Sequence, residues 1–72
     1  MTNDVLTFLE NNLNKRLLVS FADGSVIECA FYGFSYDYDE FGNETLELDF
    51  ERTTDKVLFG TTPAEIESVN VI

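Results

Sequence analysis

Histidine is absent from this 72-residue chain, cysteine and proline occur once each, and only four side chains are positively charged. A single thiol cannot close an intramolecular disulfide, and without histidine there is no Cys/His zinc site. The commonest general base is also missing, and the carboxylates read as exposed groups of ordinary acidity that make poor acids at neutral pH. The chain is therefore expected to be no enzyme and to need no cofactor. No apolar run approaches the roughly 20 residues that span a bilayer, and the N-terminus lacks the basic and apolar regions of a signal peptide. A cytoplasmic protein with no membrane partner is the expectation.

The shortage of Lys and Arg leaves a formal charge of −10, and seven of the 14 acidic residues fall between Asp37 and Glu51 with no cation among them. Such a surface repels nucleic acid and anionic lipid. Two readings stay open: a solvated face that keeps the chain soluble, or a docking surface for a basic partner. Seventy-two residues make one domain, 1–72, and a chain of this size buries only about 60% of its unfolded surface, so its core is thin.

Hydrophobic periodicity gives a mainly β protein with a short N-terminal helix. Thr2, Asn3 and Asp4 offer N-caps, and Val5, Leu6, Phe8, Leu9 and Leu13 recur at helical spacing, predicting a helix over Asp4–Asn12 that docks on its own sheet or on a neighbour. Lys15–Ala22 alternates as a strand. After it, a three-residue loop Ala22-Asp23-Gly24 with Gly24 left-handed pairs Val19 with Ile27 and Leu17 with Cys29. Cys29 then reads as a small buried hydrophobe.

The long strand Val26–Tyr38 keeps its apolar residues at odd positions up to Phe31 and at even positions from Phe34, with Gly33 at the switch, which predicts a bulge or bend there. Its partner, Glu44–Arg52, alternates throughout. Matching faces pairs Tyr38 with Glu44, Tyr36 with Leu46, Phe34 with Leu48 and Tyr32 with Phe50, leaving Asp39–Asn43 as the loop. Phe34 and Tyr36 are expected to pack in the core. A short strand Lys56–Thr61, one helical turn with Thr62 as cap and Pro63 at its first position, and a last strand Ile66–Ile72 complete the chain, with Ile66 or Val69 and Val71 turned inward.

This order of helix and five strands resembles the Sm-like family, a variant of the SH3-type small β-barrel. The residues that carry the resemblance are Asp23-Gly24, Gly33-Phe34, the run Asp39…Asn43…Leu46, which is similar to the family's Asp-x-x-x-Asn-x-x-Leu, and Leu58-Phe59-Gly60, where hydrophobic-Arg-Gly is usual. It implies a strongly bent five-stranded antiparallel barrel that forms a homo-oligomer through its edge strands, and an RNA site at Asn43 and Asp39. Phe59 stands in place of the family's arginine, Gly42 in place of a methionine, and Cys29 where glycine is common.

Other chemistry at the loop is weaker. Asp37 to Glu44 partly imitates a calcium loop, but Phe41 fills a ligand position and Leu48 stands where a bidentate glutamate belongs. Tyr32, Phe34, Tyr36 and Tyr38 resemble a base-stacking platform, yet such platforms work in basic grooves. The favoured expectation is a non-enzymatic, oligomeric barrel serving as a protein-interaction or scaffold module, whose partner surface is Tyr36, Asp37, Tyr38, Asp39, Glu40 and Phe41. The alternatives are an Sm-like RNA-binding protein and an acidic mimic of nucleic acid.

Overall fold

A computed structural model describes residues 2–72, with side chains from Asp4 onward. The element order is α1 (Thr2–Glu10), β1 (Leu17–Phe21), β2 (Val26–Tyr38), β3 (Glu44–Arg52), β4 (Leu58–Thr61), a single 3-10 turn (Pro63–Glu65) and β5 (Ile66–Val71). All five strands join one antiparallel sheet in the order β4-β3-β2-β1-β5. The expected class, mainly β with a short N-terminal helix and five antiparallel strands, is what the structure shows. Closure is the correction. β4 and β5 are not hydrogen-bonded to each other, so the sheet curls without becoming a closed barrel.

The curl is visible in the aromatic contacts. β1 and β4 are three strand spacings apart, about 14 Å in a flat sheet, yet the rings of Phe21 and Phe59 meet edge to face with centroids 6.3 Å apart. Phe59 also stacks on Phe50 at 5.5 Å. Inside the curl lie Leu17, Val19, Cys29, Phe31, Leu48 and Phe50, all buried, and Leu9 of α1 is the seventh core residue. The helix therefore covers its own sheet, with Val5 and Leu6 packed against the same cluster. It starts earlier than expected, at Thr2, which places Asp4 in its first turn and not at the cap. The Thr2 and Asn3 side chains, the other expected caps, lie outside the described residues.

Two turns form as their residues dictate. β1 meets β2 with Val19 opposite Ile27 and Leu17 opposite Cys29, and Gly24 takes φ +94° in the connecting loop, where its N–H donates to the carbonyl of Phe21. The Asp23 carboxylate accepts the N–H and hydroxyl of Ser25 on the same turn. Before β5, Thr62 is extended and Pro63 opens the 3-10 turn. Here Glu65 reaches back to accept from the Thr62 N–H at 3.3 Å and hydroxyl at 3.0 Å. The same carboxylate accepts from the hydroxyl of Thr61, the one buried polar side chain among the described residues.

The β2–β3 register agrees with expectation at Tyr38–Glu44, Tyr36–Leu46 and Phe34–Leu48, then departs from it. Phe31, not Tyr32, lies opposite Phe50, because the ladder slips by one residue between Phe31 and Gly33 and leaves Tyr32 unpaired. This bulge sends Tyr32 outward and brings Phe31 edge to face with Phe50 at 5.5 Å. Gly33 sits beside the bulge but is not required by it. Its φ is not positive and an added methyl group would meet no atom within 4 Å. A second bulge skips Glu67 of β5; Val69 and Val71, opposite Val19 and Leu17, share their inward face as expected, although Val71 on the outer strand stays 45% exposed.

Two predictions follow from this packing. Leu9→Ala removes the helix's fully buried anchor and should lower unfolding free energy by about 2–5 kcal/mol, read from urea denaturation midpoints, whereas Leu13→Ser should change them little. Gly33→Ala should leave stability unchanged or raise it by about 0.4–1 kcal/mol, while Gly24→Ala, forced into the left-handed region, should lower it by about 1–2 kcal/mol.

Candidate interaction surface

β2 spans 13 residues and β1 only five, so β2 must outrun its neighbour. β1 pairs with β2 only over Val26–Cys29, and β4 pairs with β3 only from Leu48 onward. The far parts, Gly33–Tyr38 and Glu44–Glu47, consequently form a two-stranded arm that projects from the core along a molecule 37 Å long.

The arm has two unlike faces because side chains alternate along a strand. The inner face of the sheet continues onto it as Phe34, Tyr36 and Tyr38 with Leu46 opposite Tyr36. The first three are 41%, 56% and 66% exposed, so Phe34 and Tyr36 are not core residues as expected. Among the described residues the buried face runs past β1 only as far as Phe31 and Leu48. Phe34 and Tyr36 pack on each other edge to face at 5.9 Å. The outer face carries Ser35, Asp37, Thr45, Glu47 and, nearer the core, Asp49.

These carboxylates crowd one another. Asp49 and then Asp37 hold the Glu47 carboxyl above its ordinary value, and the Glu47 side chain lies over Gly60 of β4, where a methyl group would meet its Oε2 at 2.7 Å.

At the tip, Asp39 organises the turn. Its Oδ1 accepts the N–H of Phe41 at 2.9 Å and of Asn43 at 2.8 Å, and Oδ2 accepts from the Asn43 side chain at 3.4 Å. Those hydrogen bonds, chiefly the one from the Asn43 N–H, hold its carboxyl below the usual value. Asp39 and Asn43 are thus brought together, and Asp39's lone pairs are spent on the turn. Glu40 and Phe41 are exposed at the apex, Phe41 at 81%. All six residues expected at the partner surface therefore lie on the arm, divided between its two faces and its tip. Phe34 belongs with them and was placed in the core from the sequence, the mismatch in strand lengths being the available signal, while Leu46, opposite Tyr36, is half-buried and packs against the core cluster.

The cations sit elsewhere. Arg16 pairs with Glu28 at 3.0 Å and Arg52 with Asp55, both at the level where β2 meets β1 and the end of β3. Phe59 of β4 faces the core and stacks on Phe50. A second feature is a cleft of about 310 Å³ floored by Phe21, Ile27 and Phe59 and edged by Asp23 and Glu65, whose carboxylates are already engaged by local hydroxyl and N–H groups. Cys29 is fully buried, and burial pushes its thiol up to about 11, which leaves it unreactive. Among the described residues no helix is long and apolar enough to cross a membrane.

The two perturbed carboxyls have opposite consequences. Asp39, lowered from 3.8, stabilises the fold above that value, and its contribution is lost as pH falls through the folded pKa. Glu47, raised from 4.5, favours the fold when protonated, and that contribution is lost as pH rises through the folded pKa. Carboxyl titration by NMR should give a midpoint below 3.8 for Asp39 and above 4.5 for Glu47. Glu47→Gln should raise the melting temperature at neutral pH, and the difference should disappear well below pH 4.5.

Compared with known proteins, the chain matches no protein-family model, no curated protein and no solved structure.

Proposed function

We propose that this chain is a non-enzymatic, oligomeric interaction module of the Sm-like kind, working in the cytoplasm and offering its acidic arm to a basic protein. The observation that carries this reading is the placement of charge. Seven carboxylates between Asp37 and Glu51 have no cation among them in sequence, and most stand on an exposed ribbon that reaches away from the paired arginines. Field lines from such an arm favour encounter with a cationic surface and oppose approach of a polynucleotide.

Oligomerisation is supported by the sheet's two outer strands. β4 and β5 each turn one row of backbone N–H and C=O groups to the outside, a template for pairing with another copy.

The test measures mass and binding together. Light scattering should show an assembly larger than a monomer; a strict monomer at high concentration would remove the oligomer from the proposal. Labelled oligolysine should bind at physiological salt, and Asp37→Asn/Glu47→Gln/Asp49→Asn should weaken it by about tenfold, the loss of roughly 1.4 kcal/mol. Uridine-rich RNA should not bind. RNA binding that is abolished by Asn43→Ala would replace this reading with the RNA-binding one.

A further inference from the structure

The arm's free backbone edge extends the acidic-arm reading to a defined class of partner. Along β2 the bond from the Asp39 N–H to the Asn43 carbonyl sets the alternation of an antiparallel ladder. Asp37 and Ser35 therefore bond to β3, while Tyr38, Tyr36 and Phe34 direct their N–H and C=O groups to the opposite side. β1 stops pairing at Cys29, so among the described residues no strand lies on that side of Gly33–Tyr38. Only the Tyr38 N–H has a local partner, the Asp37 carboxylate at 2.8 Å. The edge on β3, Glu44–Glu47, is shorter, and Glu47 folds over Gly60 beside it.

A strand laid along β2 would continue both faces of the ribbon. Its residues on one side would neighbour Phe34, Tyr36 and Tyr38, which calls for apolar side chains. Residues on the other side would neighbour Asp37, with Glu47 and Asp49 on the next strand, which calls for cations. A second copy of the arm meets the first requirement but brings its own carboxylates to the second, so like charge opposes it.

From this we infer that the arm binds an extended protein segment in which basic and apolar residues alternate, added as a third strand on the free edge of β2. The aromatic rings supply the contact area, the carboxylates select the sign of charge, and the backbone edge fixes register. This rests on the acidic-arm reading and adds to it a requirement for alternation and for backbone pairing.

The experiment uses the full chain and synthetic peptides. A peptide alternating arginine and valine is compared with oligoarginine of equal charge and with an alternating serine–valine peptide, following tyrosine emission, since two of the three tyrosines line the aromatic face and there is no tryptophan. The alternating cationic peptide should bind at least about tenfold more tightly than either control. Tyr36→Thr/Tyr38→Thr, at exposed positions that keep strand propensity, should cancel that advantage, and Tyr36→Pro, which deletes one edge N–H, should weaken binding more than Tyr36→Thr, with circular dichroism verifying that each variant is folded.

Equal binding of oligoarginine and the alternating peptide, or equal loss in the proline and threonine variants, would overturn the strand-addition inference while leaving the acidic-arm reading intact. Absence of binding to every cationic peptide would overturn both. Dissociation of an oligomer by the tyrosine substitutions would show that a second copy is the occupant, and would overturn the inference.

Discussion

The contact between Phe31 and Phe50 exists because Tyr32 is left out of the ladder. Without that one-residue slip, the alternation that buries Ile27, Cys29 and Phe31 would carry Phe34 and Tyr36 to the outer face, and the carboxylates of β3 would face aromatic rings. With it, a single strand serves two ends. Its first half closes the core with β1, and its second half presents aromatic side chains on the continuation of the same inner surface. The bulge also adds local twist, which helps bring Phe21 of β1 within reach of Phe59 on β4.

The core that results is small and draws on the N-terminal helix as well as the sheet. Six of its seven residues come from the three central strands, and the seventh, Leu9, is delivered by the helix across the open side of the curl. Polar groups near this core are satisfied locally, most clearly where Glu65 receives the Thr61 and Thr62 hydroxyls, and no buried side-chain nitrogen or oxygen among the described residues lacks a partner. A domain of this size has little stability to spare, so such complete satisfaction matters as much as apolar area.

Strand pairing was legible in the sequence wherever one face is buried and the other polar. Leu17, Val19, Leu46 and Leu48 identify their own partners because a slip of one residue would bring charge to the buried face. The turns were legible from Asp23-Gly24 and Thr62-Pro63, whose side chains or backbone freedom act within the turn itself.

What was misread depends on relations between distant segments. Tyr32–Phe50 pairing failed because alternation locates a facing change but not which residue is expelled. Phe34 and Tyr36 were taken for core because an alternating pattern carries no record of where the neighbouring strand stops. The carboxylates of the candidate surface were evident from composition; their separation onto a face opposite the aromatic rings needed the register.

Mutual repulsion among the arm's carboxylates is also a colloidal device. A ribbon with bare backbone edges and exposed rings is the geometry from which cross-β stacking grows, and in neutral solution the negative field of one arm opposes its stacking on the arm of another copy. Near the isoelectric point of about 4.1 that barrier vanishes. The charge proposed to draw a cationic partner thus also opposes stacking of one arm on another.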